Sequence, residues 1–136
     1  MPAILKIDRR RKLVSSTFYG QISGEDLLRH RTAIASDPDF DSNFSEIVDF
    51  SGVTLADVSE STLTAMAHTK SLFSESVMHV VVAPADFPFD MATKYQALVR
   101  ATRPNLHVVR SLQEAYALLG LETEISATTR QDEHAR

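Results

Sequence analysis

The segment that most restricts how this chain can fold is Met78-His-Val-Val-Val-Ala83, a continuous apolar run rich in β-branched residues. A run of that kind suits a strand covered on both faces, and such strands belong mainly to parallel sheets with helices packed above and below. At six residues it is far short of the roughly 20 that span a bilayer. The expectation is therefore a central strand of an α/β domain, with no membrane span.

The flanking sequence alternates to match. Segments 4–7 and 13–19 read as two strands of a leading hairpin, joined by the basic run Arg9-Arg-Arg-Lys12. Charge at such a turn protects an edge hairpin from pairing with other chains; contact with an anion or acidic partner is the alternative. After Gly20 the period lengthens to about 3.6, with Ser23 as N-cap and Asp26 completing a capping box, so a first helix is expected over 24–36. Asp37-Pro38 stops it.

A third strand is expected over 46–51 and a helix over 58–73, with Asp57-Val-Ser-Glu60 as its capping box. Beyond the 78–83 strand, Pro84 to Asp90 lead into a third helix striped by Met91, Tyr95, Leu98, Val99 and Thr102, ending before Pro104. Residues 105–109 form a fifth strand, and Ser111 caps a short helix closed by Gly120. The fold class is thus a single α/β domain over 1–122, a five-stranded mixed sheet with a leading β-hairpin, parallel central strands and about four helices. Residues 123–136 are polar without an apolar period and read as a flexible tail.

Composition narrows the chemistry. With no cysteine in 136 residues there is neither a thiol nucleophile nor a thiolate metal site, as expected in the cytoplasm. A net charge of −4 argues against nucleic acid as a partner. The five histidines lack metal-binding spacing, and four scattered glycines make no phosphate loop. Asp37, Asp39 and Asp41 begin like a calcium loop, but Ser42 replaces the glycine needed at the sixth position and Val48 the glutamate at the twelfth. Ser51 follows a strand without the glycine-flanked elbow of a serine hydrolase. No metal, cofactor or catalytic constellation is expected, and Asp49 is the remaining candidate acid.

The order of elements, with Tyr19-Gly-Gln-Ile-Ser-Gly-Glu-Asp26, Ile47-Val-Asp-Phe-Ser-Gly-Val53 and Ser111-Leu-Gln-Glu-Ala-Tyr-Ala-Leu-Leu-Gly120, resembles the STAS or SpoIIAA-like family of anti-sigma-factor antagonists over residues 4–120. The resemblance implies a non-catalytic regulatory module that binds a protein partner and is switched by phosphorylation at a helix start. The tetrapeptide that matches the phosphorylation motif is Asp57-Val-Ser-Glu60, where Val58 has no hydroxyl and Glu60 stands in place of glycine. Ser59 or Ser61 would have to accept the phosphate instead.

Two functional readings follow. In the first, Ser51, Asp57, Ser59, Glu60 and Ser61 form a partner-binding surface on a 51–61 loop and helix start. In the second, the resemblance extends to lipid-binding domains of the Sec14 type, and Met66, Phe73, Phe87, Phe89, Met91 and Tyr95 line a pocket for a small apolar ligand. Homodimerisation through an edge strand or helix face is compatible with either.

Overall fold

The computed structural model describes residues 3–121; the tail expected over 123–136 lies outside them. The order is β1 (Ala3–Asp8), β2 (Leu13–Ser23), α1 (Gly24–Ser36), β3 (Ser45–Asp57), α2 (Glu60–His68), β4 (His79–Val82), α3 (Asp86–Val99), β5 (Leu106–Val109) and α4 (Leu112–Leu119). One sheet runs β1-β2-β3-β4-β5, with β1 antiparallel to β2 and every other pairing parallel. The described residues form an α/β domain with a leading hairpin, a five-stranded mixed sheet and four helices.

All four residues of β4 are buried, and they alternate between the two faces. Val81 joins a cluster with Phe18, Phe50, Leu63, Met91 and Ala92 beneath α2 and α3, which Leu27 of α1 also contacts. Val80 and Val82 point the other way, into a cluster with Leu13, Ile47 and the α4 residues Ala115 and Tyr116. At the hairpin, the Asp8 carboxylate accepts the Arg11 backbone N–H at 3.0 Å and its side-chain Nε–H at 2.9 Å. These hydrogen bonds, the backbone one first, hold the Asp8 carboxyl below its ordinary range, and Lys12 completes the turn at φ 54.

Local chemistry explains the helix ends. Ser23 and Asp26 form a reciprocal capping box on α1. Ser111 caps α4, but Glu114 turns its carboxylate to the Arg110 N–H rather than to Ser111, so only half a box forms there. Gly120 ends α4 at φ 68, the left-handed conformation that glycine adopts most readily. Helix α3 starts at Asp86, earlier than the sequence suggested, because Pro88 sits in its first turn, where no N–H is required.

One sequence expectation fails in a way that matters for function. β3 does not stop at residue 51 but runs to Asp57, since β2 also continues and its residues Tyr19 to Ser23 pair with Gly52 to Asp57. The pairing shifts register on either side of Tyr19-Gly20, with Gly20 at φ 69, so the ladder bulges and then resumes. Asp57 is consequently the last strand residue, and the capping box expected of it does not form. Ser59 caps α2 instead, accepting the Thr62 N–H at 3.1 Å. The helix expected over 58–73 ends at His68, after which Ser71 Oγ accepts the Phe73 N–H and holds a local turn.

Candidate functional site

Between the sheet and helices α1 to α3 lies a cavity of about 190 Å³. Its floor is the inward row of four strands: Ser16 and Phe18 of β2, Glu46, Val48 and Phe50 of β3, His79 and Val81 of β4, and Leu106 of β5. The roof is Leu27, His30 and Ile34 of α1, Leu63 and Met66 of α2, and Met91, Ala92 and Tyr95 of α3. Thr69, Phe73, Arg31 and Arg103 add to the wall. The combination of an apolar body with a few converging polar groups is the usual character of a small-molecule site.

The polar groups are paired by fold geometry. Glu46 and His79 are direct neighbours in the β3–β4 ladder, and Glu46 Oε1 lies 2.9 Å from His79 Nδ1. The His79 ring also meets Phe73 edge to face at 4.9 Å. Across the cavity His30 Nε2 lies 2.6 Å from Ser16 Oγ, and the ring packs on Phe18 at 4.8 Å. The Arg103 guanidinium donates from Nη1 to the Tyr95 hydroxyl and from Nη2 to the Thr69 carbonyl at 3.1 Å. Burial pushes the Tyr95 phenol above its ordinary pKa, with the Arg103 charge pulling the other way.

Burial also holds His30 below its ordinary pKa of 6.5, against a smaller opposing pull from Glu46. The unfolded chain therefore binds more protons than the native state as pH falls through that value. Stability contributed by the neutral His30 is complete above pH 6.5 and is lost as pH falls from there to the lower folded pKa. Thermal melts between pH 8 and pH 5 should show an acid-side decline that His30→Gln, which can still bond Ser16, reduces. An equal decline in the variant would remove His30 as its cause.

The Ser16–His30 pair has the spacing of a nucleophile and base, yet Ser16 lies mid-strand, opposite Leu5 of β1 and Val48 of β3. Its neighbouring backbone N–H groups belong to a sheet paired on both sides, whereas acyl transfer needs N–H groups aimed at a developing oxyanion. What the geometry provides is a rigid polar pair on a cavity wall. Among the described residues no group of three or more His, Asp or Glu side chains is placed to hold a metal ion. No helix among them is long and apolar enough to cross a membrane.

Of the residues assigned to an apolar pocket from sequence, Met66, Phe73, Met91 and Tyr95 line the cavity. Phe87 and Phe89 do not, which corrects that assignment: α3 begins at Asp86, Phe87 is 62% exposed, and the Phe89 ring lies under the Arg110 guanidinium at 3.6 Å. The residues assigned to a partner surface are partly brought together. Ser59 Oγ lies 3.0 Å from Ser61 Oγ and 2.9 Å from Thr62 Oγ1, and Glu60 reaches Lys94 at 3.2 Å. Asp57 is exposed at the preceding strand end. Ser51 stands apart, six strand residues or roughly 20 Å before Asp57, with its N–H and hydroxyl on the Asp49 carboxylate. The 51–61 segment is therefore not one loop. Val58 is half-buried against the core, and α1 comes so close to α2 that a Cβ on Gly24 would stand 2.7 Å from Thr62 Cγ2.

The polar cavity residues that the sequence reading did not assign to a site are Ser16, His30, Arg31, Glu46, His79 and Arg103. Their signal is positional: Ser16 and Glu46 occupy inward strand positions between apolar neighbours, and His30 interrupts the apolar stripe of α1 between Leu27 and Ile34. No protein-family model matches the sequence, and no curated protein matches it either.

Proposed function

We propose that the chain is a non-catalytic binding domain, of the STAS or SpoIIAA type suggested by its motifs, that takes a small, mainly apolar ligand between its sheet and helices α1 to α3. The observation that carries this reading is the cavity, which exceeds the ~150 Å³ that accommodates a benzene-sized guest and has a largely apolar lining. The space is partly open to solvent, which gives a guest a way in. The absence of cysteine fits a cytoplasmic setting.

Ala92 provides the test, being a small buried residue on α3 that faces the cavity. Ala92→Leu should fill the space, leave the melting temperature unchanged or higher, and abolish binding of octyl compounds that the unmodified protein takes up in calorimetry. Octyl binding that survives in a folded Ala92→Leu protein would place the ligand elsewhere.

A second reading rests on the converging hydroxyls of Ser59, Ser61 and Thr62 at the start of α2. They support a partner contact at Asp57, Ser59, Glu60 and Ser61. Glu60 in the first helical turn opposes a phosphate there.

A further inference from the structure

Two arginines reach the cavity wall, and neither has a carboxylate within ion-pair distance among the described residues. Arg31 gives Nη2–H to the Lys70 carbonyl at 2.8 Å, and Arg103 gives Nη2–H to the Thr69 carbonyl at 3.1 Å. Both carbonyls lie just past the C-terminus of α2, so cations there complement the helix dipole. That accounts for one N–H of each guanidinium. Arg103 uses a second on Tyr95, and its Nε is buried with no hydrogen-bond partner among the described residues.

Arg103 Nε has no surface toward the cavity, so what a ligand can meet there is the outer part of the fork, which no carboxylate among the described residues neutralises. The charge balance points the same way. The residues lining the cavity include two arginines and one carboxylate, Glu46, which is already bonded to His79. His30 is held toward its neutral form by burial. Apart from the imidazoles, the wall thus sets two arginines against one carboxylate.

We infer that the ligand of this cavity is an amphiphile with a single carboxylate, its alkyl body among Phe18, Phe50, Met66 and Met91 and its acid group on Arg103, with Arg31 as the second cation. The inference rests on the proposed cavity function and adds the head group. A carboxylate accepts the planar N–H fork of arginine in a way that an alcohol of the same length cannot. On the scale by which ~150 Å³ holds the six heavy atoms of benzene, the cavity takes about eight, close to the carbon chain of octanoate.

The test is calorimetric titration of the full chain at pH 7.5 with sodium octanoate and with 1-octanol. Octanoate should bind about tenfold or more tightly, the ratio expected from one charge-assisted hydrogen bond. In Arg103→Gln the preference should vanish, octanoate affinity falling by about tenfold more than octanol affinity changes. Arg103→Lys, which keeps the charge and loses the fork, should fall between, and it decides the matter if Arg103→Gln fails to fold. Equal affinities in the unmodified protein, or a preference that survives both substitutions, would overturn the carboxylate and leave the apolar site standing. Binding of neither compound would overturn the cavity function together with it.

Discussion

Replacing Leu13 with alanine should lower the unfolding free energy by about 3–5 kcal/mol, the upper part of the range for buried leucine truncations. Leu13 opens β2 with no exposed surface and packs with Ile47 of β3, Val80 and Val82 of β4, and Ala115 and Tyr116 of α4. The three strands are fixed by their ladders, so the space left by the missing atoms has little freedom to collapse. The consequence extends to α4, which at eight residues is too short to persist without docking. Leu118→Ala on the same helix is the control: that side chain is 43% exposed, and its truncation should stay within about 0.5 kcal/mol beyond the small loss of helix propensity. Urea unfolding of both variants measures the difference. A cost below about 1 kcal/mol for Leu13→Ala would mean that α4 is not held by this cluster.

The fold was legible where local chemistry and tertiary pairing agree. The 78–83 run announced a strand covered on both faces, Ser23 and Asp26 marked the start of α1, and Gly120 marked the end of α4. It was misread at β3, where Ser51-Gly52 carries a turn signal that is overridden by pairing with Tyr19 to Ser23, more than 25 residues earlier in the chain. No local pattern contains that partner. The same pairing decides the site: a cap at Asp57 makes one loop of residues 51–61, whereas a strand separates Ser51 from the α2 start. The apolar pocket was half legible, since the helical stripe identified Met66, Met91 and Tyr95. Its polar wall was not, because Ser16, Glu46 and His79 come together only through strand register and His30 only through the packing of α1. A lone polar residue in an apolar stripe is the trace that such sites leave in a sequence.

The Glu46–His79 pair offers the second large effect, and it separates a structural contact from two independent polar residues. The side chains are 15% and 6% exposed and lie 2.9 Å apart at the start of adjacent strands. Glu46→Leu should cost about 2–3 kcal/mol by leaving the imidazole of His79 without its partner, and His79→Phe about 3–4 kcal/mol by leaving a mostly buried carboxylate unpaired. The double variant Glu46→Leu/His79→Phe leaves neither group stranded and fills the same ladder position with apolar side chains, as replacement of buried polar pairs often permits. It should therefore be less destabilised than the sum of the singles by about 2 kcal/mol or more, a coupling that urea unfolding of the four proteins measures directly. Additive costs would show that the two side chains are stabilised separately by the walls around them. Coupling of the expected size would identify the pair as a single unit that ties the start of β3 to the start of β4 on the cavity floor.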